Sequence, residues 1–109
     1  MANKLYAMEL LTEEVAKDVA ANPQEWMRFL NTASRLYRYT FPEQLLIYAQ
    51  RPGATAVASM EIWNQKMYRW IKKGSKGIAL IDNTSGPKTK LRFVFDVQGT
   101  YKVRNLGKD

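Results

Sequence analysis

Residues 66–76, KMYRWIKKGSK, concentrate side chains that bind polyanions. The segment holds five cations, two aromatic rings and one glycine, and no acid. Lys and Arg pair with phosphates, and aromatic faces stack on unpaired bases. A glycine lets the chain turn sharply enough to present both. The segment therefore favours binding to a nucleic acid with exposed bases, and the alternative is a basic hairpin that is only solvated.

The charge of the chain is unevenly distributed. The formal net charge is +7, with −2 in residues 1–34 and +9 in residues 35–109. A positive field confined to one part of a domain favours nucleic acid or another anionic surface as partner. A small basic domain without such a partner remains the alternative.

The chain lacks the residues that most catalytic mechanisms require. The chain has no His and no Cys, and so lacks the commonest general base, metal ligand and thiol nucleophile. The carboxylates of the basic part are scattered singly: Glu43, Glu61, Asp82, Asp96 and Asp109. Asp82 and Asp96 are the one pair that can approach, as in a two-metal nuclease, although turn caps or Lys partners are the commoner role. No phosphate-binding glycine loop occurs. We expect no enzyme activity, no metal or cofactor and no small-molecule substrate.

Length and composition indicate one small globular domain. The 109 residues are 46% hydrophobic and 25% charged, and no apolar run approaches the roughly 20 residues that span a bilayer. The opening residues lack a secretory signal, and the absence of Cys fits the cytoplasm. We expect a single cytoplasmic domain over 1–109, with its core at about 12–103 and no membrane association.

Local patterns predict four helices. The first covers 12–21 with Thr12 as its cap, and the second covers 22–39 with Asn22 as its cap. In the second helix an apolar stripe is expected to face the core, with three arginines mostly off it. The stripe is Trp26, Phe29, Leu30, Ala33 and Tyr37, and the arginines are Arg28, Arg35 and Arg38. A buried helix is predicted over 42–50 and a short one over 60–66, capped by Ser59. Tyr48 and Trp63 are expected in the core.

The strands follow the helices. Residues 68–82 read as a hairpin around the Lys-Lys-Gly-Ser-Lys-Gly loop, and residues 91–97 as a strand. Residues 54–59 are a strand or an extended link, and the tail from 98 adds a short strand or frays. This order predicts an α+β fold, with helices packed on one face of a small, mostly antiparallel sheet.

Alternation along the strands predicts which side chains face outward. Tyr68 and Trp70 share one face, opposite Arg69 and Ile71, and both registers remain open: either Ile71 or Trp70 points inward. In the strand at 91–97 the residues Leu91, Phe93 and Phe95 are expected to point into the core. Arg92 is then expected to point outward and to extend the basic surface.

Several segments in this order resemble a known family. They are YRYTFPEQLLIYAQRPGATAVASMEIW, WIKKGSKGIALID and FVFDVQGT. Over about residues 25–101 they are similar to the N-terminal domain of ArdC-type antirestriction proteins of plasmids and conjugative elements. The matching positions are Leu45, Leu46, Pro52, Ala54, Thr55, Val57, Trp63, Lys72, Lys73, Gly74, Lys76, Gly77, Val94, Phe95 and Asp96. The chain departs from the pattern at Pro42 and Glu43, where Asn is expected, and in NQKMYRWI, which lacks the usual Gly.

The resemblance implies a bacterial domain that binds single-stranded DNA with little sequence preference. Full-length members carry a metallopeptidase-like C-terminal domain, whose zinc site needs His. Because this chain has no His, the resemblance implies the binding module alone, as the front piece of a larger mobile-element protein.

Two functions follow as hypotheses. In the first, cations neutralise the phosphates of single-stranded DNA while Tyr68 or Trp70 stacks on bases. The predicted DNA-binding residues are Arg69, Lys72, Lys73, Lys76, Tyr68, Trp70, Arg35, Arg38 and Arg92. In the second, the basic face docks an acidic protein, such as a restriction or conjugation protein.

Overall fold

The computed structural model describes residues 4–82 and 90–102. The helices are α1 Lys4–Ala21, α2 Pro23–Ala33, α3 Phe41–Gln50 and α4 Met60–Gln65. The strands are β1 Val57–Ala58, β2 Arg69–Ile71, β3 Ile78–Asp82, β4 Lys90–Asp96 and β5 Thr100–Lys102, with a 3₁₀ turn at Val97–Gly99 before β5. Residues 83–89, between the predicted hairpin and the predicted strand at 91–97, and the end of the predicted tail, from 103 onward, lie outside the described residues.

The predicted α+β fold is confirmed. Within the described residues, β1, β4 and β3 form an antiparallel sheet in that order, and β2 pairs with β5 in a separate antiparallel ribbon. Helices α1 and α3 pack on each other and against β3, and α4 packs against β2. The small sheet is thus supported by α1 and α3, and the ribbon by α4.

The predicted hairpin over 68–82 is wrong. Its first strand, β2, pairs with β5, and its second strand, β3, pairs with β4. The Lys72 N–H donates to the Gly99 carbonyl at 2.9 Å, which continues the β2–β5 pairing. Gly74, at φ +84°, then redirects the chain toward the other sheet. A glycine turn between two apolar runs has the same sequence pattern in a hairpin and in a link between sheets.

Most predicted caps are present. The Asn22 side chain accepts the N–H groups of Gln24 at 2.8 Å and Glu25 at 3.3 Å, and Ser59 caps α4. Thr12 is the exception, because α1 begins at Lys4 and Thr12 lies inside it. The Thr12 hydroxyl donates to the Met8 carbonyl at 2.9 Å. A Thr within a helix forms this bond when the preceding turn is also helical.

Helix α2 ends at Ala33, before the predicted end at 39. Tyr37 therefore leaves the helical stripe and is 75% exposed, and Leu36 is buried at 2% exposure instead. Trp26 and Leu30 are also exposed, at 39% and 41%, so the predicted burial was wrong for three of the five residues of the stripe. Phe29 and Ala33, the other two residues of the stripe, are buried as predicted. Tyr48 and Trp63 are buried as predicted.

The side chains of β4 that point into the core are not the ones predicted. Val94 is fully buried, whereas Phe93 is 45% exposed. Arg92 shares the face of Val94 and donates to Glu43 of α3 at 2.6 Å. A shift of one position moves every side chain of a strand to the other face, and an arginine tolerates the inner face where an acid meets it. Arg92 therefore does not extend an outer basic surface.

Tyr48 yields a prediction about stability at high pH. Its hydroxyl donates to Glu25 at 2.6 Å, and burial, followed by this hydrogen bond, raises the pKa of Tyr48 to about 12. Because the pKa of Tyr48 is higher in the folded than in the unfolded state, its protonated hydroxyl stabilises the fold fully below the unfolded pKa of about 10. This stabilisation is lost as the pH rises toward 12.

We expect Tyr48→Phe to lower the free energy of unfolding by about 1 kcal/mol at neutral pH, because a partly buried hydrogen bond to a carboxylate is lost. Chemical denaturation of both proteins between pH 7 and pH 12 measures the difference. The difference in free energy of unfolding between the parent and the variant should become smaller above about pH 10. A constant difference across this range contradicts the assignment.

Candidate nucleic-acid interface

The β2–β5 ribbon presents an aromatic pair to solvent. Trp70 lies opposite Tyr101 in the register, and opposing residues of antiparallel strands share a face. Trp70 is 46% exposed and Tyr101 49%. On the other face Ile71 lies opposite Thr100, which is 3% exposed. Of the two registers that the sequence left open, the structure has Ile71 inward and Trp70 outward.

Arg69 lies at the rim of the ribbon opposite Lys102. Its Nε donates to the Thr100 hydroxyl at 2.6 Å and its Nη2 to the Thr100 carbonyl at 3.4 Å. These bonds use one edge of the guanidinium and fix its position. The charge of Arg69 is balanced by no salt bridge with a described residue.

Tyr68 reaches the surface by a different route from the one predicted. It precedes β2 and has φ +56°, in the left-handed region, so strand alternation does not apply to it. Its side chain is 70% exposed. Left-handed backbone costs a residue with a Cβ roughly 1–2 kcal/mol. This strained position places a third aromatic ring next in sequence to the ribbon.

Residues 72–77, which we call the basic loop, follow β2. Lys72, Lys73 and Lys76 are all exposed. The loop is closed by a bond from the Ser75 N–H to the Lys72 carbonyl at 3.0 Å. The Ser75 hydroxyl donates to the Gly99 carbonyl at 2.9 Å, which ties the loop to the 3₁₀ turn. Three ammonium groups are thus held on one anchored loop beside the aromatic pair.

A cleft beside the basic loop contains an arginine that the sequence analysis missed. The cleft has a volume of about 170 Å³ and is lined by Arg51, Ser75, Lys76, Phe95, Asp96, Gln98 and Gly99. Arg51 Nε lies 3.5 Å from an oxygen of Asp96, and its Nη2 donates to Gln98 at 3.1 Å. In the sequence Arg51 marked only the end of a helix, and no local signal relates position 51 to position 76.

The other predicted binding residues do not gather at the ribbon. Arg35 donates through Nε and Nη2 to the Ala54 carbonyl, at 3.2 Å and 3.1 Å. Arg38 is exposed and lies 5.8 Å from the centre of the Tyr37 ring. Arg92 lines a different cavity, of about 590 Å³, with its partner Glu43. The structure therefore brings Arg69, the aromatic pair and the basic loop together and leaves these arginines elsewhere.

Asp82 and Asp96 lie at opposite ends of the β3–β4 pair. Asp82 is opposite Lys90, and Asp96 lies six residues further along β4. At 3.3 Å per residue this separates them by about 20 Å, whereas the ions of a two-metal site are about 4 Å apart. Asp96 is 3% exposed and accepts the Thr55 N–H at 2.8 Å. This separation excludes a two-metal nuclease site formed by Asp82 and Asp96.

Comparison of the chain with protein-family models, with curated proteins and with solved structures found no match. Among the helices of the described residues, none is both long enough and apolar enough to cross a bilayer. The function is therefore inferred from the residues and their geometry.

The backbone of Tyr68 yields a prediction about stability. Tyr68→Ala and Tyr68→Gly both remove the ring, but only Ala keeps a Cβ at φ +56°. We expect the Gly variant to be more stable than the Ala variant by about 1 kcal/mol, because Gly adopts the left-handed conformation without steric cost. Urea denaturation of both variants measures this difference. Equal stability, or a more stable Ala variant, contradicts a left-handed Tyr68.

Proposed function

We propose that this chain is a sequence-tolerant single-stranded DNA-binding module. The observation that supports it best is the exposed Trp70–Tyr101 pair, which lies on a ribbon that leads directly into the basic loop. Aromatic faces stack on bases, and lysines beside them neutralise the backbone. Proteins that bind single strands without sequence preference combine these two features.

The choice of a single strand follows from the geometry of stacking. Base faces are covered within a duplex and become available only in an unpaired strand. An aromatic ring stacks on any base, because every base has a π-face. The pair at Trp70 and Tyr101 therefore favours unpaired strands and gives little preference for sequence.

The ArdC resemblance of the sequence is a further ground for this proposal. Three of its elements meet at the end of β4: the Thr55 N–H donates to Asp96 at 2.8 Å, and the Trp63 indole donates to the Phe95 carbonyl at 2.8 Å. These contacts join three of the segments on which the resemblance is based. We extend the proposal accordingly to a cytoplasmic, ArdC-like module of a plasmid or conjugative-element protein.

Docking of an acidic protein is the second candidate. Trp, Tyr and Arg are enriched at the energetic centres of protein interfaces, and Trp70, Tyr101 and Arg69 are neighbours in the ribbon. The partner would be a restriction or conjugation protein. This candidate predicts that charge reversal in the basic loop breaks a pull-down without changing DNA binding.

Charge reversal in the basic loop tests the first candidate. If roughly four to six phosphates are neutralised, log K against log salt has a slope of about −3 to −4 for a single strand. The double replacement Lys72→Glu and Lys73→Glu should weaken binding to a labelled oligothymidine at least roughly tenfold. The slope should become less steep by about 1.4, which is 0.7 for each lost phosphate contact. Fluorescence anisotropy at several salt concentrations measures both.

The control is Lys17→Glu, which changes the charge of an exposed residue on α1. It should leave the slope unchanged. The proposal fails if the unaltered protein binds no single strand at low salt, or binds duplex equally well. It also fails if the basic-loop variant binds as tightly as the parent.

Stacking is tested separately from charge. We expect Trp70→Ala to weaken oligothymidine binding by about 1–3 kcal/mol, the usual contribution of one stacked base, and to leave the salt slope unchanged. Trp70→Phe should retain most of the affinity, because it keeps a ring.

A matched control is Trp26→Ala, which removes another partly exposed Trp, on α2. Titrations at one salt concentration rank the three variants, and a salt series gives the slopes. If Trp70→Ala and Trp26→Ala weaken binding equally, Trp70 is not a stacking site.

A further inference from the structure

A turn at residues 51–54 lies between two cationic clefts. On one side Arg51 lines the cleft that contains Lys76 of the basic loop. On the other side Pro52 and Gly53 line a second cleft of about 320 Å³, together with Arg28, Asn31, Thr32, Arg35 and Tyr48. No carboxylate lines this second cleft within the described residues. One short turn thus lies between the basic loop and two arginines, Arg28 of α2 and Arg35, which follows α2.

Hydrogen bonds within the turn, and from Thr32 and Arg35, hold it in place. The Ala54 N–H donates to the Arg51 carbonyl at 3.0 Å, and the Thr32 hydroxyl donates to the Pro52 carbonyl at 2.6 Å. Arg35 donates twice to the Ala54 carbonyl. These bonds use Nε and one Nη2 hydrogen, so three of the five N–H groups of an arginine stay available.

Arg51 is held in a comparable way from the other side. Asp96, which is buried, and Gln98 fix the Nε edge and Nη2 of its guanidinium. The side chain of Arg51 is still 40% exposed. Arginine presents its donors in a rigid fork that matches phosphate oxygens. Arg35 and Arg51 are therefore two oriented cations that flank one turn, each with donors left for a phosphate.

Arg28 adds a third cation, which lines the second cleft. Its side chain is 70% exposed, and its partner Glu25, at 3.1 Å, does not line the cleft. An exposed pair of this kind contributes little free energy, so a phosphate can replace Glu25 at small cost.

We propose that the turn at 51–54 carries a second phosphate-binding subsite for the same strand. The polynucleotide backbone leaves the ribbon, passes Lys76 and Arg51, crosses the turn and continues along Arg35 and Arg28. This inference rests on the proposed function and deepens it, because it assigns the path of the strand and a longer binding site. Arg28 and Arg51 join Arg35 as backbone contacts.

Length-dependent binding tests this path. The probes are labelled oligothymidines of about five and about fifteen nucleotides, within the range of known single-strand sites. The variant Arg28→Gln with Arg35→Gln should bind the short probe within about twofold of the parent, because the ribbon and basic loop are intact. The affinity of this variant for the long probe should fall about five- to tenfold, and the slope of log K against log salt should become less steep by about 1.4.

Two further variants complete the test. Lys17→Gln, on α1, is the control and should change neither probe. Arg28→Glu leaves the Arg35 bonds to the turn in place, and should also weaken only the long probe. Thermal unfolding of each variant shows whether the fold is retained.

The outcomes separate the two proposals. If the parent binds neither probe, the single-strand function fails and this path fails with it. If the parent binds both probes, but neither arginine variant changes the long-probe affinity or slope, only the path is overturned. A loss that is equal for both probes also overturns it, since a distal subsite cannot contact the short one.

Discussion

The buried carboxylate of Asp96 is the interaction on which the site depends. One of its oxygens accepts the N–H groups of Thr55 and Ala56, at 2.8 Å and 3.3 Å. The other accepts the Gln98 N–H at 3.1 Å and lies 3.5 Å from Arg51 Nε. A buried charge is costly unless such donors surround it. Because the donors come from separate segments, Asp96 joins the end of β4, the entrance to β1, the 3₁₀ turn and the residue after α3.

From Asp96 the constraint extends to the basic loop. Gln98 lies within the 3₁₀ turn that places the Gly99 carbonyl, and this carbonyl accepts both the Lys72 N–H and the Ser75 hydroxyl. A Cβ on Gly99 would lie 3.2 Å from the Ser75 oxygen, so Ser75 would have to shift by a few tenths of an ångström to admit one. The lysines are therefore positioned by a neighbouring turn, and pairing with β3 is not needed to hold them.

The parts that sequence predicted are those fixed by neighbouring residues. Asn22 and Ser59 cap the helices that follow them, and such caps depend on residues two or three positions away. The errors concern distant partners: β2 pairs with β5 some 30 residues further on, although a nearer strand was available. The inward position of Arg92 likewise depended on Glu43, which no local pattern reveals.

The sequence predicts that the candidate site is basic. It does not predict which of its cations remain available to bind a phosphate. Arg92 is paired with Glu43 and lines a different cavity. Arg51 is also paired, with Asp96, but it and Arg35 flank the same turn, and each uses one edge of the guanidinium within the fold and exposes the other. Their structural and binding roles therefore cannot be separated by affinity alone, because replacing either one also alters the turn between them. The salt dependence of binding separates them, since its slope reports the number of phosphates neutralised and not the stability of the turn.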